Sequence, residues 1–197
     1  MLPLAEDAAA DLGLAEVFSG ARLCLDDLPG SGAAWYRVRP ASGPGKLPVL
    51  VLFCHEDCFG PAPRPGGPVE PAPPVWEQVP APDPAPEEPV PFDGVRAAAF
   101  LHHHFLVARD LGRGDIVGRH LPAALSEAFT EAWAVTVDGR LEREGLPGFC
   151  LAERRGRFAR VFSPAGILLP DHWQVFQSLW DGALKTQQEV LDAVRRL

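Results

Sequence analysis

Thirteen of the 31 residues from Pro61 to Pro91 are proline, and no regular element can run through such a stretch. Each proline removes a backbone donor and fixes φ. The segment therefore favours an extended polyproline II course and cannot join a sheet interior or continue a helix. Unstructured connections beyond about 12–15 residues are uncommon inside compact domains and usually mark function or disorder. Two readings follow. The segment is a surface-draped insertion, or it is a lid over a site, with Val75-Trp76 as the bulky apolar spot that would pin it.

The residues before this segment read mainly as strands. Leu4, Ala8, Leu12, Ala15 and Phe18 recur at helical spacing, which predicts a short amphipathic helix over 4–18. Strands are predicted at 21–25, 33–38 and 47–54, with Gly30-Ser31-Gly32 and Ser42-Gly43-Pro44-Gly45 as the turns between them. The run 47–54 is the most apolar and should be central. The reading is an antiparallel meander.

The residues after it read mainly as helices. Asp93 suits an N-cap for a helix over 94–111, whose apolar face groups Ala97, Phe100, Leu101, His104, Ala108 and Leu111. His102, His103, Arg109 and Asp110 fall outside that face. Pro122 suits the first turn of a second helix, 122–144, with Leu125, Phe129, Trp133, Val137 and Leu141 on its stripe and Glu127, Glu131, Asp138 and Glu142 opposite. Residues 149–153 and 157–162 read as a hairpin across Arg155-Gly156, and 167–169 as a further short strand. Asp171 begins a C-terminal helix that Asp181-Gly182 would bend. The predicted fold is α+β: one domain over 1–197, a small, mostly antiparallel sheet with three or four helices packed against it, and a long proline-rich insertion at 61–91.

Composition narrows the function classes. The 197 residues carry a net charge of −8 and a pI near 5.2, where a binder of nucleic-acid backbone shows a basic excess. Nucleic acid is therefore not an expected partner. Of the 18 basic residues only Lys46 and Lys185 are lysines; with abundant Ala, Gly and Pro this is the bias of a GC-rich, bacterial-type genome, not phosphate recognition. The N-terminus lacks the basic and apolar regions of a secretory signal, and no apolar run approaches the roughly 18–20 residues that span a bilayer. No membrane role is expected. The predicted location is the cytoplasm, with Cys24, Cys54, Cys58 and Cys150 reduced.

The densest chemistry is Cys54-His55-Glu56-Asp57-Cys58, released where the central strand ends. Cys54, His55 and Cys58 are soft and borderline donors that suit zinc, which takes about four N or S ligands in a tetrahedron. The spacing is C-x3-C, not C-x2-C, so a complete site needs a distant fourth ligand, and His104 or His103 is the candidate. The alternative is a buried Cys54 followed by a solvated His-Glu-Asp turn. His102-His103-His104 cannot all bind one ion, because consecutive helical residues point about 100° apart. His104, on the apolar stripe, needs a hydrogen-bond partner or a ligand role.

Other signatures are incomplete. The zinc-protease H-E-x-x-H is absent, and thiol catalysis lacks both C-x-x-C and a protease context. Gly112-Arg113-Gly114-Asp115 is too short and charged for a phosphate loop. The acids of 122–144 read as a solvated face. Arg154, Arg155, Arg157 and Arg160 form a basic strip on the proposed hairpin, either solvated or facing an acidic partner. Two functions of different class follow. One is a metal-binding, hydrolase-like or degenerate metallohydrolase-like domain using Cys54, His55, Cys58 and His104 with zinc. The other is a non-catalytic protein-interaction domain using the proline-rich segment or the arginines.

Loop-closure cost grows slowly with length, each doubling adding only about 0.6 kcal/mol. Removing half of 61–91 should therefore leave the melting temperature almost unchanged. A large loss in a thermal scan would make the segment an integral part of the core.

Overall fold

The computed structural model describes residues 1–25, 34–41, 43–61, 91–117, 121, 123–163 and 169–197. Among these residues the fold is α+β, with six α-helices and one three-stranded mixed sheet. The turn Gly30-Ser31-Gly32, the bulk of the proline-rich segment (62–90), Pro122 and most of the proposed strand 167–169 lie outside the described residues.

Strands β1 (Gly20–Leu25), β2 (Ala34–Arg39) and β3 (Val49–Cys54) pair in the order β1-β3-β2, so the most apolar strand is central, as expected. The sheet is not the meander read from the sequence. β2 runs antiparallel to β3, in keeping with the tight connection through Gly43-Pro44-Gly45, but β1 runs parallel to β3. Ser19 fixes that entry: its N–H bonds the Pro48 carbonyl at 2.8 Å and its hydroxyl the Leu47 carbonyl at 2.9 Å. The arrangement gives the buried strand hydrogen-bonded neighbours on both sides. Leu50, Leu52 and Cys54 face the helices, with Leu23, Ala34 and Tyr36 packed beside them. Val51 and Phe53 point to the opposite face, in register with Arg37 and Trp35.

Helix α1 (Leu2–Asp11) is shorter than predicted; Gly13 interrupts it, and a single 3-10 turn, Leu14–Glu16, follows. Helix α2 (Gly94–Arg113) begins where expected, with Asp93 Oδ1 accepting from the Val95 and Arg96 N–H groups at 3.0 and 3.1 Å. Helix α3 (Ser126–Glu144) follows a 3-10 turn at Ala123–Leu125. Phe100, Phe129, Trp133 and Val137 are all buried, as their stripes imply.

Two expectations about these helices need correction. α2 is buried on more than its apolar stripe, and His102, His103 and Asp110 are buried with it, because α1 and α3 pack on its other sides. The acids of α3 are not all solvated. Asp138 is 1 % exposed and Glu142 accepts from Trp180 Nε1 at 2.7 Å, because α3 is the hub on which α2 and the three later helices pack.

The proposed hairpin at 149–162 is also wrong: Leu151–Phe162 is a helix, α4. Leu151, Arg154, Phe158 and Phe162 fall on one helical face, and that periodicity outweighs the turn signal of Arg155-Gly156. The last segment is two helices, α5 (Pro170–Trp180) and α6 (Gln187–Val194). Gly182 at φ 76° breaks the run instead of bending it, and Thr186 with Glu189 caps the restart in a reciprocal box.

The α3–α5 contact depends on a missing side chain. A Cβ at Gly139 would overlap the Trp180 carbonyl, and backbone cannot yield as a side-chain tip does. Gly139→Ala should therefore destabilise by about 2–3 kcal/mol, beyond the small gain in helix propensity. For a chain of this size that is roughly 5–10 °C in melting temperature. An unchanged transition would mean that α5 can shift away at little cost.

Candidate functional site

The loop after β3 folds into a 3-10 turn, Glu56–Phe59, and puts the predicted residues into different environments. Cys54 is fully buried, and burial, then the neighbouring Cys58 and Cys24, pushes its thiol up to about 12. At neutral pH it is a protonated thiol, a weak nucleophile and a reluctant ligand. Cys58 is also buried. His55 caps the turn: its Nδ1 lies 3.3 Å from the Asp57 N–H and 3.0 Å from Asp57 Oδ2. His55 Nδ1 is therefore engaged within its own turn.

The three histidines of α2 point to three different partners, as 100° steps require. His102 places Nδ1 2.8 Å from the Ala98 carbonyl and Nε2 3.1 Å from Asp11 Oδ2 on α1. His103 Nδ1 lies 2.9 Å from Asp138 Oδ1 on α3. His104 turns toward the sheet, as predicted, and Tyr36 of β2 meets its Nδ1 at 2.5 Å. Burial raises the Tyr36 hydroxyl far above its usual range. It also holds His104 well below the ordinary imidazole value, with His103, Arg154 and Arg157 adding to the effect. A protonated phenol beside a neutral ring gives an O–H···Nδ1 bond.

Asp138 is the densest polar node. Its Oδ1 accepts from His103 and from the Phe149 N–H at 3.2 Å, and its Oδ2 from Arg154 Nε at 2.6 Å. Arg154 also reaches Glu131 through Nη1 at 3.3 Å. Burial alone would raise the Asp138 carboxyl; His103, Arg154 and the Phe149 N–H overcome it and leave the value lowered. Burial lowers His103 against the pull of Asp138, so the ring is neutral and Arg154 supplies the compensating charge. Glu131 is raised by burial despite Arg154.

A histidine bonded through Nδ1 to a buried carboxylate has the orientation of a catalytic dyad. Here the carboxylate is also clamped by an arginine, and His103 is only 5 % exposed. The arrangement holds α2, α3 and α4 together. The arginine strip read as a surface hairpin is split by α4. Arg154 is buried in this network, Arg155 stacks toward Trp173 and Phe176, and Arg157 lies over Phe149.

Among the described residues, no group of three or more His, Cys, Asp or Glu side chains is arranged to hold a metal ion. Sequence reasoning missed Asp11, Asp138 and Tyr36 as the partners of His102, His103 and His104, and Arg154 and Glu131 behind Asp138. One signal was legible: Asp138 follows Ala132–Val137, which is apolar apart from Thr136, and an acid there needs a buried partner. No protein-family model matches the chain, and neither the curated proteins nor the solved structures include a significant match.

The neutral histidines predict a pH dependence. Their folded values lie below the ordinary 6.5, so their contribution is complete above that value and is lost as pH falls through it toward the folded values. Asp138, lowered from 3.8, keeps its contribution until the pH falls below that value. Stability should fall between pH 7 and 5 by up to about 1.4 kcal/mol per pH unit for each histidine. His104→Gln, which keeps a partner for Tyr36, should flatten the curve. Equal slopes in denaturant titrations at pH 7, 6 and 5 would remove His104 as the cause.

Proposed function

We propose that the chain is a non-catalytic protein-interaction domain. The supporting observation is that its conspicuous histidines serve interior bonds, each toward a different element: His102 to α1, His103 to α3 and His104 to the sheet. Side chains so engaged leave little for substrate. The reading places the protein in the cytoplasm with a protein partner, and the net charge of −8 speaks against a nucleic-acid backbone. No helix among the described residues is long and apolar enough to cross a membrane.

A metal-binding, hydrolase-like role is the second reading, and one observation favours it. Cys24 and Cys58 lie near enough to Cys54 to affect its ionisation, and His55 adjoins them. In that reading Cys54, His55 and Cys58 hold zinc with His104 as the distant ligand. Zinc would lower the thiol value.

Elemental analysis of untagged protein separates the two. The interaction domain should carry well below one metal ion per chain, and a chelator should leave its melting temperature unchanged. A stoichiometric ion, lost in Cys58→Ser together with stability, would replace the first reading with the second.

A further inference from the structure

A cleft lies on one face of α3, where the chain turns from α5 to α6. Trp133, Thr136, Arg140 and Arg143 stand at i, i+3, i+7 and i+10, the spacing of a single helical face. Gly182, in the left-handed region, ends the run of α5, and the turn after it brings Leu184 and Lys185 to the same place. Together these residues line a cavity of about 260 Å³.

Three cations and no carboxylate line this cavity, in a chain whose acids outnumber its bases by 26 to 18. Acids around it serve other donors. Glu142 accepts from Trp180 Nε1 at 2.7 Å, Asp181 from Gln177 Nε2 at 2.9 Å, and Glu189 from the backbone N–H groups of Lys185 and Thr186 at 2.8 and 2.9 Å. Two of the cations are held in place. Arg140 forks onto Asp110 through both terminal nitrogens, and Trp133 Nε1 donates to the same carboxylate at 3.0 Å. Arg143 donates through Nη1 to the Trp180 carbonyl at the end of α5. Gly182 leaves room for that guanidinium: a Cβ there would stand 2.7 Å from Arg143 Nη2. Asp110 neutralises Arg140, which therefore offers N–H donors but no net charge. Arg143 and Lys185 have no carboxylate at ion-pair distance among the described residues.

We infer that this cleft binds a small organic dianion, a phosphomonoester or a short dicarboxylate. The two uncompensated cations set the charge. The guanidinium of Arg143, fixed by the Trp180 carbonyl, presents a planar fork that matches either head group, and Lys185 adds a point charge on a flexible stem. Groups already positioned lose little freedom on binding, so their contacts are not spent on ordering them. Leu184 and Trp133 supply an apolar wall for a carbon body. The volume lies just below the roughly 300–1,000 Å³ that holds drug-sized ligands, which suits a body of a few carbons better than a nucleotide. The net charge of −8 opposes any anion at a distance, but it is screened beyond about 8 Å at physiological ionic strength, so contacts inside the cleft decide. The site goes beyond both functional readings above and depends on neither.

The test follows the indole N–H resonances of the full, isotope-labelled chain at about 150 mM salt as phenyl phosphate or succinate is added. Trp133 shares Asp110 with Arg140, so a ligand on Arg140 is felt at its indole; Trp133→Phe assigns the signal. At least one probe should shift that signal saturably, with half-saturation at about 1 mM, and leave those of Trp35 and Trp173 in place, since neither lines the cleft. The tighter probe names the head group. Lys185→Gln should weaken binding about fivefold and Arg143→Gln about tenfold. Lys46→Gln, the same charge change outside the cleft, should leave it unchanged. Melting temperatures are read alongside, because Arg143 also holds the end of α5; Lys185 enters the α6 cap only through its backbone N–H, so its variant should melt like the unsubstituted chain. Three results would overturn the proposal. One is no saturable shift by about 20 mM of either probe. Another is undiminished binding by Lys185→Gln, or equal weakening by Lys46→Gln, which would reduce the effect to net charge. The third is sulfate binding as tightly as both probes, which would mean an adventitious ion only. None of these results alters the metal content, so the functional readings are judged separately.

Discussion

One buried carboxylate organises the helical half of this protein. Asp138 sits in the middle of α3, and burying its charge would be prohibitive without donors. Those donors come from three places: His103 on α2, Arg154 on α4 and the backbone of Phe149 between α3 and α4. The requirement to satisfy one anion therefore dictates how three segments meet. Asp110 repeats the scheme on a smaller scale, accepting from Trp133 Nε1 at 3.0 Å and from both terminal nitrogens of Arg140. Apolar packing gives these helices their cohesion. The ionic clamps restrict their registers, because a helix turned by one residue would leave a buried charge without a partner.

The sheet obeys a different constraint. β3 is apolar on both faces, so it takes the centre, and the inner face joins the helices through Leu50, Leu52 and Cys54. Tyr36 links the two halves through His104. The helical clamps are charged, whereas this link pairs a neutral phenol with a neutral imidazole. Protonation of His104 removes the acceptor of the Tyr36 bond, whereas a protonated His103 still faces the Asp138 carboxylate.

Much of this architecture was legible in the sequence, and the failures have physical causes. Helices α2 and α3, the central place of β3, the Asp93 cap and the inward turn of His104 all follow from periodicity and capping. The parallel pairing of β1 does not, because it is a choice of edge and direction that nothing local in Gly20–Leu25 encodes. α4 was misread because Arg155-Gly156 imitates a turn and because four arginines look solvent-facing. Arg154 enters the core only because Asp138 waits there. The acid face of α3 was misread for the mirror-image reason. Reciprocal burial of opposite charges hides from any pattern that scores residues one at a time. The candidate site was legible only as residue types: the sequence exposes Cys54, His55, Cys58 and His104 as potential donors but not the partners that engage them.

Three neighbouring positions on α2 end in three separate interfaces: His102 on α1, His103 on α3 and His104 on the sheet. A single helical turn thus carries a native reporter for three junctions of the fold: α1–α2, α2–α3 and α2 with the sheet. Imidazole resonances are sensitive to tautomer and hydrogen bonding, and each ring here has a distinct partner. The order in which those signals change during unfolding would read out the order in which the layers part, with no label added. Few segments of a protein bring so many independent boundaries within about 3 Å of helix rise.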